Sequence, residues 1–214
     1  MSNAEYEVYR VAIRSKSLFK TISFKQVIDI FKAAGYTAKV TPPPISPVSD
    51  EYSFRVNMPV LQKGELAIDL NTEMNSIGII GNNLELLIDE IEDIFIPKVS
   101  EMTTFQRNIW FYEVQIKIKF KDKENPAFTN IGKTEIKRTY GLVEGIDDKM
   151  KLQGITLWNN TNPDTENFTE VKVTTDIHSP ELVIYQIILR RQKELEFLEA
   201  IRRIKQNLSS YFNS

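Results

Sequence analysis

The sequence predicts an α+β protein with two halves of antiparallel β-sheet, each backed by an amphipathic helix. Three observations support this fold class. Apolar and polar residues alternate over many short runs, which is typical of half-buried strands. Three longer stretches repeat apolar residues at intervals of 3 and 4, which is the spacing of an amphipathic helix. Short turn sequences separate successive strands, which favours antiparallel pairing.

The first two elements are a strand and a helix. Residues Tyr6 to Phe19 begin with an alternating apolar pattern, which predicts a strand. A helix is expected to begin at Ser23, whose hydroxyl can cap the first free amides while Gln26 reaches back. Gly35 is expected to end this helix, because glycine readily adopts the left-handed backbone conformation that follows many helices.

Four further strands and a second helix complete the first half. The consecutive prolines between Pro42 and Pro47 exclude a helix and predict a stiff extended connection. The second helix has apolar residues at helical spacing from Leu84 to Phe95, and Pro97 is expected to end it. The predicted strands cover residues 36–40, 52–58, 66–70 and 77–80.

The second half begins with the longest predicted strand. From Trp110 to Phe120 apolar residues occupy one face, and polar residues from Glu113 to Lys121 occupy the other. Strands are also expected near 135–143, 151–158, 168–177 and 182–189, followed by a helix over about 192–212. The strand at 182–189 is apolar on both faces, which predicts a central position in the sheet. These elements divide the chain into residues 1–98 and 107–214, joined by residues 99–106.

The two halves share an order of elements, which raises the hypothesis of an internal duplication. The order β-α-β-β-β-β-α over residues 6–96 is similar to one repeat of the TATA-binding-protein fold. The local resemblance is best at Leu66-Ala67-Ile68-Asp69-Leu70, Ile77-Gly78-Ile79-Ile80-Gly81 and the helix from Leu84. The resemblance implies a concave sheet that faces a DNA minor groove, and no functional residues are carried over from it. Helix-grip ligand carriers have similar patterns.

The composition argues against most enzyme classes. The chain has no cysteine, 8 glycines and one histidine, His178, whereas most catalytic and metal-binding sites use His, Cys or a glycine-rich phosphate loop. We therefore expect a non-enzymatic binding or scaffold protein without a cofactor or a metal. The lack of cysteine fits a reducing compartment, and no apolar run approaches the roughly 20 residues of a membrane helix, so we expect a cytoplasmic protein without membrane contact.

Two groups of residues are candidates for binding. The first is a cationic group that could contact a polyanion such as nucleic acid, or could simply be a solvated or edge-protecting strand face. It consists of Lys117, Lys119, Lys121, Lys137 and Arg138. The second is a candidate protein interface, whose acids could instead be an ordinary solvent-exposed helix face. It consists of Phe111, Glu85, Asp89 and Glu92.

Three functions remain open on the sequence alone. The first is a scaffold that binds a protein partner or a second copy of itself. The second is a nucleic-acid-associated protein that uses the lysine-bearing strand face. The third is a carrier of a small apolar ligand, held between the sheet and the last helix.

Overall fold

The computed structural model describes residues 4–16, 24–39, 57–71, 74–121, 154–159, 166–175 and 182–213. Their strands form one antiparallel sheet with the order β2-β3-β4-β5-β1-β6-β9-β8-β7. The α+β class and the antiparallel sheet predicted from the sequence are therefore confirmed. The strands are β1 (Ala4–Ser15), β2 (Thr37–Ala38), β3 (Asn57–Lys63), β4 (Leu66–Asn71), β5 (Ser76–Gly81), β6 (Ile109–Lys121), β7 (Gly154–Trp158), β8 (Thr169–Thr175) and β9 (Leu182–Arg191).

The described helices contribute side chains to one core on a single face of the sheet. This core contains Tyr9 and Val11 of β1 and Val114 of β6, together with Phe31 and Phe197 from the first and last helices. The helices are α1 (Phe24–Ala33), α2 (Leu84–Glu90), a π-helical segment (Ile91–Phe95), α3 (Ile96–Ser100), α4 (Thr103–Gln106) and α5 (Glu194–Asn213).

The strand pair β1–β6 joins the two halves of the chain. Val11 pairs with Val114 at the middle of this long ladder. All described strands from the first half lie on the β1 side of the pair, and all described strands from the second half lie on the β6 side. The strand β9 lies between β6 and β8, which agrees with the central position predicted from its apolar faces.

The second helix does not end at Pro97, so this prediction was wrong. The chain continues through the π-helical segment into α3, which reaches Ser100. Ile96 donates its amide to the Ile91 carbonyl, five residues back, so the turn before Pro97 is wider than an α-turn. The wider turn accommodates a residue that has no amide proton and whose ring would clash with the carbonyl four residues back.

Most remaining boundaries agree with the sequence patterns to within a few residues. The exception is the strand expected over residues 52–58: β3 continues to Lys63, and residues 52–56 lie outside the described residues. Gly35 lies two residues after the end of α1 and has a φ of 88°, as the predicted helix end requires. Residues 99–106, expected to join the halves, include α4, and Val99 and Phe105 of this stretch are buried in the core. The proposed cap Ser23, the proline-rich connection and the strand expected near 135–143 lie outside the described residues.

Candidate functional site on the uncovered sheet face

One face of the sheet is not covered by any of the described helices. We call it the uncovered face. It carries Arg10 and Arg14 of β1, and Glu113 and Lys117 of β6, which alternate along their strands with the core residues. The polar composition of this face was predicted for β6, where alternate residues from Glu113 to Lys121 were assigned to one side. Its charged residues are the best candidates for contact with another molecule.

A single row of residues crosses the centre of the uncovered face. In register, it runs through Asp69 of β4, Gly78 of β5, Ala12 of β1, Glu113 of β6 and Arg190 of β9. The row has small residues in its middle and charged residues on both sides. Long side chains from neighbouring rows can therefore lie flat across the sheet.

Arg10 uses this space to reach Asp69. Its Nε and Nη2 atoms donate to Oδ2 of Asp69 at 3.1 and 2.8 Å. A Cβ atom at Gly78 would overlap Oδ1 of Asp69 and lie 3.0 Å from Nη2 of Arg10. The absence of a side chain at Gly78 thus leaves the room in which this ion pair lies.

A second cluster surrounds Glu113, which is fully buried. Arg190 donates from Nε to one carboxylate oxygen at 2.6 Å, and Gln115 donates to the other at 2.7 Å. Nη2 of Arg14 lies further away, 3.6 Å from the carboxylate. Two guanidinium groups thus share one carboxylate. Burial is the main cause that lowers the pKa of Arg14, and the nearby charges of Arg10 and Arg190 lower it further, although the Glu113 carboxylate acts to raise it.

Aromatic rings support the same two arginines. The Phe111 ring centre lies 5.1 Å from the Arg190 guanidinium and 5.9 Å from that of Arg14, and the Phe168 ring centre lies 5.5 Å from the Arg190 guanidinium. These are cation–π distances. Phe111, predicted as an interface residue, is therefore only 4% exposed, and Trp110 beside it is 37% exposed.

The predicted lysine group lies partly on the uncovered face. Lys117 is exposed and stands in register with Gln186 of β9, which faces Lys172 of β8. Lys119 is half-buried and has an interaction partner. Lys121 pairs with Leu182 at the end of β6. Lys137 and Arg138 lie outside the part of the chain that the structure describes.

The predicted acidic interface lies on α2 and the π-helical segment, on the helix side of the sheet. Glu85 accepts a hydrogen bond from Lys205 at 2.9 Å, and this contact lowers the pKa of Glu85. Arg202 lies 2.8 Å from Glu92, and the hydrogen bond to Glu92 raises the pKa of Arg202. Two of the three acids are thus paired with α5 of the same chain, while Asp89 is exposed.

Two tyrosines form buried contacts with carboxylates on the helix side. Tyr36 donates to Glu90 at 3.0 Å and Tyr112 donates to Glu194 at 3.2 Å. Burial, reinforced by the neighbouring carboxylate, raises the pKa of both phenols. The Tyr112 ring also lies 5.5 Å from Phe197 of α5, so at this point packed side chains fill the space between the sheet and the last helix.

The sequence reasoning missed Arg10, Arg14 and Arg190. Arg10 and Arg14 are four residues apart in a strand, so their side chains share a face, and this spacing could have identified them. Arg190 could not be found in this way, because its role depends on the pairing of β9 with β6.

Three further findings concern the chemistry and relatives of the protein. No three His, Cys, Asp or Glu side chains of the described residues form a group that could hold a metal ion. None of the described helices combines the length and apolarity that crossing a bilayer requires. No protein-family model and no curated protein sequence matches the chain.

Proposed function

We propose that the protein is a non-enzymatic binding protein that docks an acidic protein partner on the uncovered face. The observation that carries the proposal is the surplus of cations on this face. The carboxylates Asp69 and Glu113 are both held by arginines, and Glu170 accepts a hydrogen bond from Trp158, whereas Lys117 and Lys172 form no ion pair with any other described residue. Carboxylates that are fixed in this way serve the structure, and the exposed lysines are available to a partner.

The two lysines are spaced for contact with one partner surface. Lys117 and Lys172 belong to one cross-strand row, with Gln186 of β9 between them. Two strand spacings of about 4.8 Å place their backbones roughly 10 Å apart. Acidic side chains on a helix or strand of a partner can bridge such a distance.

An exposed aromatic residue lies next to this lysine row. Trp158 of β7 is 55% exposed, and its indole donates to Glu170 of β8, which fixes the ring orientation. Glu170 is two residues from Lys172 on the same strand, so both face the same way. Tryptophan is enriched at the energetic centres of protein interfaces. An exposed Trp beside two exposed lysines favours a protein partner.

A nucleic acid is the second candidate partner. The observation in its favour is that Lys117, Lys119 and Lys121 alternate along one strand, a spacing that can follow a phosphate backbone. The formal charge of the whole chain is −2, which gives no long-range attraction to a polyanion. An acidic protein surface requires only local complementarity, so we favour the protein partner.

The test uses a charge reversal of the row, with Lys117→Glu and Lys172→Glu combined. Peptides selected from a random display library on the natural protein are expected to be acidic and to lose binding to this variant. The matched control is Lys25→Glu with Lys32→Glu, which changes the charge equally on exposed positions of α1. Peptides that bind both variants alike would exclude the docking surface. Salt-sensitive binding of an oligonucleotide that only the first variant loses would instead favour nucleic acid.

The strand order supports the hypothesis of an internal duplication. From the central pair outward, the first half places β1, β5, β4 and β3, and the second half places β6, β9, β8 and β7. In each half, the strand of the central pair is the first strand in sequence. The strand next to it, β5 or β9, is followed directly in sequence by a helix, α2 or α5. We infer that the halves are related by an approximate twofold axis, and this order also supports the resemblance to the TATA-binding-protein fold. An experimental structure in which the two sets of four strands fail to superpose would exclude the duplication.

A further inference from the structure

A groove opens at the end of the sheet where β1 ends, β6 begins and Met74 and Asn75 precede β5. It has a volume of about 530 Å³ and faces solvent. Its walls consist of Arg14, Ser15, Lys16, Met74, Asn75 and Trp110. Pockets of roughly 300–1,000 Å³ that combine apolar walls with a few polar groups are typical sites for small ligands.

Trp110 provides an ordered aromatic wall. Its Nε1 atom donates to Glu166 at 2.9 Å, and this hydrogen bond lowers the pKa of the Glu166 carboxyl group. The indole also lies 5.0 Å from the Phe111 ring. The ring is therefore held from two sides while more than a third of the residue remains exposed. An exposed ring with a fixed orientation is suited to stacking on another planar ring.

Two cations line the same groove. The ammonium group of Lys16 is on an exposed residue and forms no ion pair with another described side chain, although its charge is felt at Glu166. Arg14 donates to the carbonyl oxygen and to the sulfur of Met74, both at 3.0 Å, so its guanidinium is fixed at the groove wall. The carboxylate nearest to Arg14 is that of Glu113. It lies 2.6 Å from Arg190 but 3.6 Å from Arg14, so it is bonded mainly to Arg190.

The walls define the chemistry of a ligand. The exposed Trp110 ring can stack on a planar ring of a ligand. The two cations in the same groove can bind an anionic group attached to that ring. An apolar cavity of about 150 Å³ holds a benzene ring. The groove is several times larger, so it suits a ring that carries a further bulky anionic group.

We propose that this groove binds a nucleobase that carries a phosphate, with the base stacked on Trp110 and the phosphate held by Lys16 and Arg14. The unit can come from a free nucleotide or from the end of a single-stranded nucleic acid. The site does not rest on the proposed docking function, because it uses none of Lys117, Lys172 and Trp158. Failure of one proposal therefore leaves the other intact.

The test uses the intrinsic fluorescence of the full chain. The protein has two tryptophans, so the variant Trp158→Phe leaves Trp110 as the only tryptophan reporter. Adenosine monophosphate is expected to change the Trp110 emission in a saturable manner. Adenosine and inorganic phosphate, each tested alone, are expected to bind at least about tenfold more weakly, because each engages only one wall of the groove.

Variants in this background identify the contacts. Lys16→Gln is expected to weaken binding of adenosine monophosphate about tenfold, as the loss of a charged hydrogen-bond partner predicts. Lys32→Gln removes the same charge on an exposed position of α1 and is expected to leave binding unchanged. Trp110→Leu, followed by equilibrium dialysis, is expected to weaken binding at least about fivefold. If this variant does not fold, the comparison of Lys16→Gln with Lys32→Gln decides.

The source of the nucleotide follows from a second titration. Saturable binding of a short single-stranded oligonucleotide much tighter than that of the mononucleotide, with the same dependence on Lys16, assigns the groove to nucleic-acid ends. Equal or weaker binding of the oligonucleotide assigns it to free nucleotides. Absence of saturable binding by both probes, or equal effects of Lys16→Gln and Lys32→Gln, overturns the proposal.

Discussion

The Arg10 guanidinium crosses the space above Gly78 and donates from two nitrogens to a single oxygen of Asp69. This arrangement links strands β1 and β4 through side chains, across the intervening strand β5. The ion pair depends on Gly78, because the two side chains occupy the space that a side chain at position 78 would fill.

The variant Gly78→Ala is expected to lower the free energy of unfolding by about 2 kcal/mol, since the new methyl group must displace the Asp69 carboxylate. Urea denaturation measures the change. In an Asp69→Ala background the same substitution is expected to cost clearly less, because the clashing atom is gone. Equal costs in both backgrounds would show that the clash is not the cause.

The variant Glu113→Gln is expected to lower the free energy of unfolding by about 3 kcal/mol. It leaves the partly buried Arg14 and Arg190 guanidinium groups without their shared counter-charge. Glu101→Gln is the matched control: it removes an exposed carboxylate that pairs with Lys98, and we expect less than about 0.5 kcal/mol. Denaturation of both variants side by side makes the comparison, and similar losses would contradict the buried role of Glu113.

Folding stability is expected to fall as the pH rises above about 10. Tyr36 and Tyr112 have pKa values raised by burial and by nearby carboxylates, so the unfolded chain loses these protons first. Their contribution is complete below the pKa of an unfolded tyrosine and decreases above it. Stability measured at about pH 9 and about pH 11 should decline less in Tyr36→Phe and Tyr112→Phe than in the natural protein. An unchanged decline in both variants would argue against this cause.

The variant Phe197→Ala is expected to destabilise the protein by about 3–5 kcal/mol, because this fully buried ring anchors α5 against Tyr112. Leu195 lies two residues earlier in the same helix and is 76% exposed. Leu195→Ala is therefore expected to change the stability little, and it controls for the helix propensity of alanine. Thermal unfolding distinguishes the two variants, and a loss of similar size in both would show that α5 docks differently.

The local elements could be predicted because they depend on residues close together in the sequence. The alternation from Tyr112 to Ile118 specifies a strand with one apolar face, and Gly35 specifies the end of α1. Pro97 was misjudged because the π-helical segment before it, whose wider turn is not visible in the residue pattern, lets the helix continue.

The candidate site depends on strand pairing, and for that reason little of it could be predicted. Glu113 was expected to face water because it alternates with apolar residues, yet it is buried, since Arg190 and Arg14 lie against it. Arg14 and Arg190 lie beside Glu113 because β1 and β9 are the neighbours of β6, and these neighbours depend on the strand order of the whole sheet. The exposure of Lys117, in contrast, followed directly from its position on the polar side of β6.

The central position of the β1–β6 ladder has a consequence for the synthesis of the chain. Val11 can pair with Val114 only after Val114 has been synthesised. The sheet therefore has a high contact order at its centre, and the protein is expected to fold slowly. Until β6 leaves the ribosome, the first half has β1 as an open edge with unpaired backbone groups and an apolar side. A chain truncated before β6 is therefore expected to aggregate, and early binding by a chaperone would prevent this.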